Sequence, residues 1–137
     1  MSASIDPTTT PAWQDLLKHR DQLEPDLRGW FATDPDRAAR MSYQLGDLYV
    51  DLSKNLVTDE TIARLVQLAE DVELRERIGA MLAGEHINTT EDRAVLHTAL
   101  RRPEGAEPAL RVDGQDVDAD VHDVVRQMDA FADKVRS

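Results

Sequence analysis

The chain contains no cysteine, so disulfides, thiolate metal sites and cysteine nucleophiles are all excluded. Aromatic residues make up only 4% of its 137 residues, and a core must be built from Leu, Val, Ile, Ala and Met. Basic residues are also in short supply. Sixteen Lys and Arg stand against 27 Asp and Glu, a formal net charge of −11. That balance excludes a general nucleic-acid binder, which needs clustered cations for phosphates, and disfavours anionic membrane surfaces. No apolar run is long enough to span a bilayer. The stretch Met1 to Pro11 lacks the basic and apolar regions of a signal peptide, which leads to the expectation of a soluble, cytoplasmic domain. Glycine-rich phosphate loops following a strand are missing too.

What is present reads as helix openings and closings. Residues 1–10 are polar and carry Pro7, and they are expected to form a flexible arm. Thr10-Pro11 is a cap followed by proline at the first helical position. Trp13, Leu16 and Leu17 follow at helical spacing, with an end expected near Leu23, ahead of Pro25. Leu27 to Phe31 reads as an irregular apolar anchor. Asp34-Pro35 repeats the cap-plus-proline opening and predicts a short helix to about Arg40.

The period then changes. Leu48, Val50 and Leu52 alternate with Tyr49, Asp51 and Ser53, a strand pattern. Gly46-Asp47 suits a tight hairpin turn with Tyr43 to Leu45 as the opposing arm. Such a hairpin is marginal alone and is expected to pack on helices. Thr58 caps the next helix, with Ile62, Leu65, Val66 and Ala69 as its apolar face. A further helix carries Leu74, Ile78, Met81 and Leu82 and is closed by Gly84.

From Gly84 to Arg101 the spacing predicts a link and then another helix. Thr89 or Thr90 would cap it, and Val95/Ala99 with Leu96/Leu100 would form its apolar stripe. Arg93, His97 and Arg101 would share a second face, able to hold an anion or dock an acidic surface, or simply to pair with neighbouring carboxylates. Residues 103–108 read as a loop and Val112-Asp113-Gly114-Gln115 as a turn. The last helix begins at Asp116. Val117, Val121, Val124, Val125, Met128, Phe131 and Val135 form its apolar stripe, expected to be core. Asp118, Asp120, Asp123, Asp129 and Asp133 read as a solvated face.

Candidate chemistry is thin. His19, His86, His97 and His122 fall on separate elements, none at the spacing of a helical metal motif beyond the generic Asp118/His122 pair. Ser53 beside Lys54 suggests an activated hydroxyl, but a strand-end Ser-Lys pair without a third, orienting group reads as a turn.

Two segments carry a family resemblance. One is Asp51-Leu-Ser-Lys-Asn55, preceded by the alternating Gly-Asp-Leu-Tyr-Val and followed by a Thr-capped helix. The other is Gly84-Glu-His-Ile-Asn-Thr-Thr-Glu-Asp-Arg-Ala-Val-Leu-His-Thr-Ala-Leu-Arg101, which is close to G-x-x-I-N-x-T-E-x-R-A-x-L-H-x-A-L-R. On these residues, with the order of the flanking elements, the chain resembles the N-terminal part of the glucose-6-phosphate isomerase (phosphoglucose isomerase) family. The resemblance implies interconversion of glucose 6-phosphate and fructose 6-phosphate, in glycolysis and gluconeogenesis. It implies a glutamate base, a cis-enediol, and no metal or organic cofactor. It also implies a homodimer built from two sugar-isomerase (SIS) domains, each an α/β/α layered sheet. The family's phosphate-binding segments and its catalytic glutamate, histidine and lysine would lie beyond Ser137, so no catalytic, cofactor or metal residue is carried over. The expected fold is mainly α with a small β-hairpin: residues 11–137 as the helical N-terminal segment of such an isomerase, inactive alone. A stand-alone acidic helical module that binds a partner through its last helix is the alternative.

Overall fold

A computed structural model describes residues 5–136. The chain divides into two compact units, Met1–Val72 and Glu73–Ser137. Each is mainly helical and carries one small antiparallel hairpin.

In the first unit, a 3-10 turn at Pro7–Thr9, capped by Asp6, lies within the stretch read as a flexible arm. Residues 1–4 of that stretch are outside the described residues. Helix α1 (Pro11–Gln22) opens as the sequence predicts, with the Thr10 hydroxyl accepting from the Trp13 N–H at 3.2 Å. Helix α2 (Leu27–Thr33) occupies the stretch read as irregular. Its signal was the Asp26 cap, whose carboxylate accepts from the Gly29 N–H at 3.0 Å. A side chain at Gly29 would meet that carboxylate, since a Cβ there would stand 2.3 Å from Asp26 Oδ2. Helix α3 is a single turn, Arg37–Arg40, with Pro35 and Asp36 in the turn leading to it.

Strands β1 (Ser42–Leu45) and β2 (Leu48–Asp51) pair in the expected register, Leu45 opposite Leu48. Gly46 sits at φ +57° at the first of two turn residues, where a primed hairpin turn places glycine. The expectation that this hairpin lays a face on helices fails. Tyr43, Leu45, Leu48, Tyr49 and Val50 are all exposed, and burial begins only at its base, at Met41. Helix α4 (Asp59–Asp71) opens with a capping box in which Thr58 and Thr61 exchange hydrogen bonds. It packs on α1. His19 Nε2 lies 2.7 Å from the Thr61 hydroxyl, and the Ala12 N–H donates to Asp71 at 3.3 Å. Of its apolar face, Ile62 and Ala69 are half-buried while Leu65 and Val66 stay exposed.

In the second unit, α5 (Leu74–Leu82) ends in a Schellman closure: the Gly84 N–H reaches the Met81 carbonyl and the Glu85 N–H reaches that of Ala80. Strands β3 (Arg111–Val112) and β4 (Gln115–Asp116) form a two-residue-deep hairpin around Asp113-Gly114, at φ +51° and +83°. Helix α6 (Val117–Arg136) follows directly. The core of this unit is Ala99, Leu110 and Val117, with Leu96, Val112 and Val121 against it. Only the first part of the α6 stripe is therefore core. Val124, Val125, Met128, Phe131 and Val135 are exposed, and the core cluster ends at Val121. No helix among the described residues is long and apolar enough to cross a membrane.

Candidate functional site

The predicted helix after Thr90 is absent. The Asn88 and Arg93 backbones instead bond to each other in both directions, at 3.1 and 3.2 Å, closing a six-residue turn. Within it the Thr90 hydroxyl donates to Asn88 Oδ1 at 2.8 Å, and Asn88 Nδ2 donates to Glu91 at 3.2 Å. Asp92 sits at φ +49°, which no α-helix accommodates. Short polar side chains that cap helices also fold back on their neighbours, and here the local turn wins. Beyond the turn the chain runs without regular structure to a 3-10 turn at Ala99–Arg101. Leu96 packs on the core while Leu100 is exposed, so they do not form one stripe. Arg93, His97 and Arg101 are exposed, but no helix face brings them together. The anion-holding helix face expected from their spacing does not form among the described residues.

What the turn does assemble is a three-residue cluster that periodicity had no means of finding. His86 Nδ1 lies 2.9 Å from Asp92, and its Nε2 lies 3.1 Å from Asp113 on the β3–β4 turn. The hydrogen bond to Asp92, then the one to Asp113, raise the His86 pKa above the usual histidine range, against partial desolvation.

A second polar knot lies where α6 begins. Asp118, grouped with the solvated aspartates by its spacing, is buried. Its carboxylate accepts from the Leu110 N–H at 2.9 Å and from Arg102 Nε at 2.9 and 3.1 Å. Arg102 also donates to the Pro108 carbonyl at 2.6 Å. The Leu110 N–H, and to a lesser degree Arg102, lower the Asp118 pKa although burial opposes them. A group so lowered contributes stability above the unfolded carboxylate value of about 3.9, and that contribution fades as pH falls through the folded value. Asp118→Asn is therefore expected to melt below the wild type at pH 6, with the gap closing towards pH 3. A gap that stays constant with pH overturns the assignment.

Beside this knot a pocket of about 260 Å³ is lined by Glu104, Glu107, Asp118, His122 and Arg126 among others. The buried His122 Nε2 has no hydrogen-bond partner among the described residues.

In the first unit the Asp51–Asn55 segment is organised by Arg37, which the sequence did not single out. Its guanidinium is buried and donates to three backbone carbonyls, of Ser53 at 2.8 Å, Asn55 at 3.2 Å and Val57 at 2.8 Å. It stacks 4.9 Å from the Trp30 ring centre and 5.8 Å from that of Phe31. Ser53 is 1% exposed, and its N–H donates to Asp51 at 2.7 Å. Buried inside a turn, it is not placed as a nucleophile. Arg40 stands between Asp34 and Asp59, fixing α3 to the start of α4.

These constellations hold loops and helix ends in place.

Comparison with known proteins supplies what the geometry does not. A family model described as phosphoglucose isomerase matches residues 51–137. The chain is 55% identical over 133 residues to the glucose-6-phosphate isomerase of Mycobacterium tuberculosis. It is 53% identical over the same length to those of Mycolicibacterium vanbaalenii and Mycobacterium avium. Each match takes in 96% of this chain and 24% of the relative, so the chain spans about a quarter of the length of the curated relatives it matches. With most of its residues inside the family model and more than half identical to these enzymes, the chain belongs to the phosphoglucose isomerase family.

Proposed function

We propose that this chain serves as the N-terminal helical portion of a glucose-6-phosphate isomerase and does not isomerise sugar phosphates by itself. The observation that carries the reading is the identity of 55% across nearly the whole chain to enzymes of that name, of which it spans a quarter. In this reading the complete enzyme opens the sugar ring and moves a proton between C1 and C2 by general acid–base catalysis. It acts on a sugar phosphate in the cytoplasm, as a homodimer. This chain contributes framework rather than catalysis. Its buried titratable side chains, His19, Arg37 and Asp118, each hold a neighbouring helix or backbone.

A coupled assay of glucose 6-phosphate formation from fructose 6-phosphate tests this on two proteins. The 137-residue chain alone is expected to give no turnover above background. A chimera in which it replaces the matching quarter of the Mycobacterium tuberculosis enzyme is expected to be active. Turnover by the chain alone, or a dead chimera beside an active parent, overturns the proposal. The exposed apolar stripe of α6 favours a second reading, a stand-alone acidic module that presents this face to a partner protein. A dead chimera would favour it.

A further inference from the structure

The His86 cluster has a property that its distances impose. Ionised carboxylates can only accept hydrogen bonds, and a neutral imidazole carries a single N–H. With Asp92 at 2.9 Å on one ring nitrogen and Asp113 at 3.1 Å on the other, both contacts are hydrogen bonds only when both nitrogens are protonated. A neutral ring would keep one and turn a lone pair towards the second carboxylate.

The ring's side chain is 24% exposed, whereas those of Asp92 and Asp113 are 86% and 74% exposed. The ring is thus partly shielded between two carboxylates that face solvent. Both aspartates sit at left-handed backbone positions, φ +49° and +51°, which are the reversal points of the Asn88–Arg93 turn and of the β3–β4 hairpin. Asp92 from the ring's own loop and Asp113 from the hairpin are the charged groups acting on it, while Glu91 in the same turn is engaged by Asn88.

We propose that His86 is a proton-operated clip that fastens the Asn88–Arg93 turn to the β3–β4 hairpin when doubly protonated and releases it when it loses a proton. The sign follows from linkage. A histidine whose folded pKa lies above its unfolded value holds its full contribution below about pH 6.5, and loses it as pH rises through the folded value. The raised His86 pKa agrees with this direction. The clip goes beyond the isomerase reading and does not depend on it, since both parts lie within the second unit.

The test is a carbon–proton NMR titration of the His86 ring in the 137-residue chain, alongside amide-exchange protection factors at the pairs that close the two turns, Asn88 with Arg93 and Val112 with Gln115. The ring is expected to titrate above 6.5, and Asp113→Asn and Asp92→Asn are each expected to shift its midpoint down. Protection at both turns is expected to drop across that midpoint in the wild type and to be flat with pH in His86→Gln. Asparagine tolerates the left-handed backbone at both aspartate positions, so those variants keep the turns and test the charge alone. A midpoint at or below 6.5, a midpoint unmoved by Asp113→Asn, or protection indifferent to the titration each overturns the clip.

Discussion

Replacing Arg37 with alanine is expected to destabilise the first unit by on the order of 3 kcal/mol. The substitution removes three hydrogen bonds at once, and it strips the cation from the faces of Trp30 and Phe31. The total stays well below three full desolvation penalties. The Ser53 carbonyl is left in a buried place, but those of Asn55 and Val57 lie nearer the surface and regain water. Lysine should recover only a minority of the loss, because a single ammonium cannot span carbonyls that a planar fork reaches together. Trp13 and Trp30 are the protein's two tryptophans and both lie in this unit, so urea unfolding followed by tryptophan fluorescence reads it directly. A loss below about 1 kcal/mol, the size of an ordinary surface effect, would show that the guanidinium is not what holds this connection.

Gly84→Ala is expected to cost about 3 kcal/mol in the second unit, from two sources that can be separated. The backbone there is left-handed at φ +77°, and a Cβ would stand 2.6 Å from Val112 Cγ2 and 3.2 Å from Leu110 Cδ1. One glycine thus ends α5 and lets β3 approach the chain that leaves it. Trimming Val112 to alanine should return part of the loss in the Gly84→Ala background while costing stability in the wild type, a coupling read by a double-mutant cycle. Thermal melts followed by circular dichroism supply the four values. Strict additivity would mean that only the backbone conformation matters and that the close approach does not.

Position 84 also separates helix ends that were legible in the sequence from a link that was not. Ahead of it, several signals were local and written in residue types with few alternatives. Thr10-Pro11, Thr58 with Asp59, and Gly84 itself each settle one helix end through one or two hydrogen bonds. The Gly46 turn settled the hairpin register in the same way. Between Gly84 and Arg101 the residues serve two conformations equally well. Asn88, Thr90 and Asp92 cap helices and also build turns, and the choice was made by hydrogen bonds among them that no period records. Tertiary pairs were invisible for a related reason. Arg37 meets its carbonyls 16 to 20 positions away, Asp118 meets Arg102 across 16, and His86 meets Asp113 across 27. The family resemblance was legible because it needs only the order of residues, whereas the conformation of the same residues was not.

The way Arg37 holds its segment has a consequence for mutational tolerance. All three of its acceptors are main-chain oxygens, so the contact reads the path of the chain and is indifferent to the side chains carried on it. Asn55 is exposed and can change without loosening the grip, with proline excepted because the Asn55 N–H is bonded to the Leu52 carbonyl. Ser53 is constrained by the space around it and not by the bond it accepts. The shape of residues 53–57 is thus encoded largely at one position far upstream, and variation within the segment says little about whether that shape is kept.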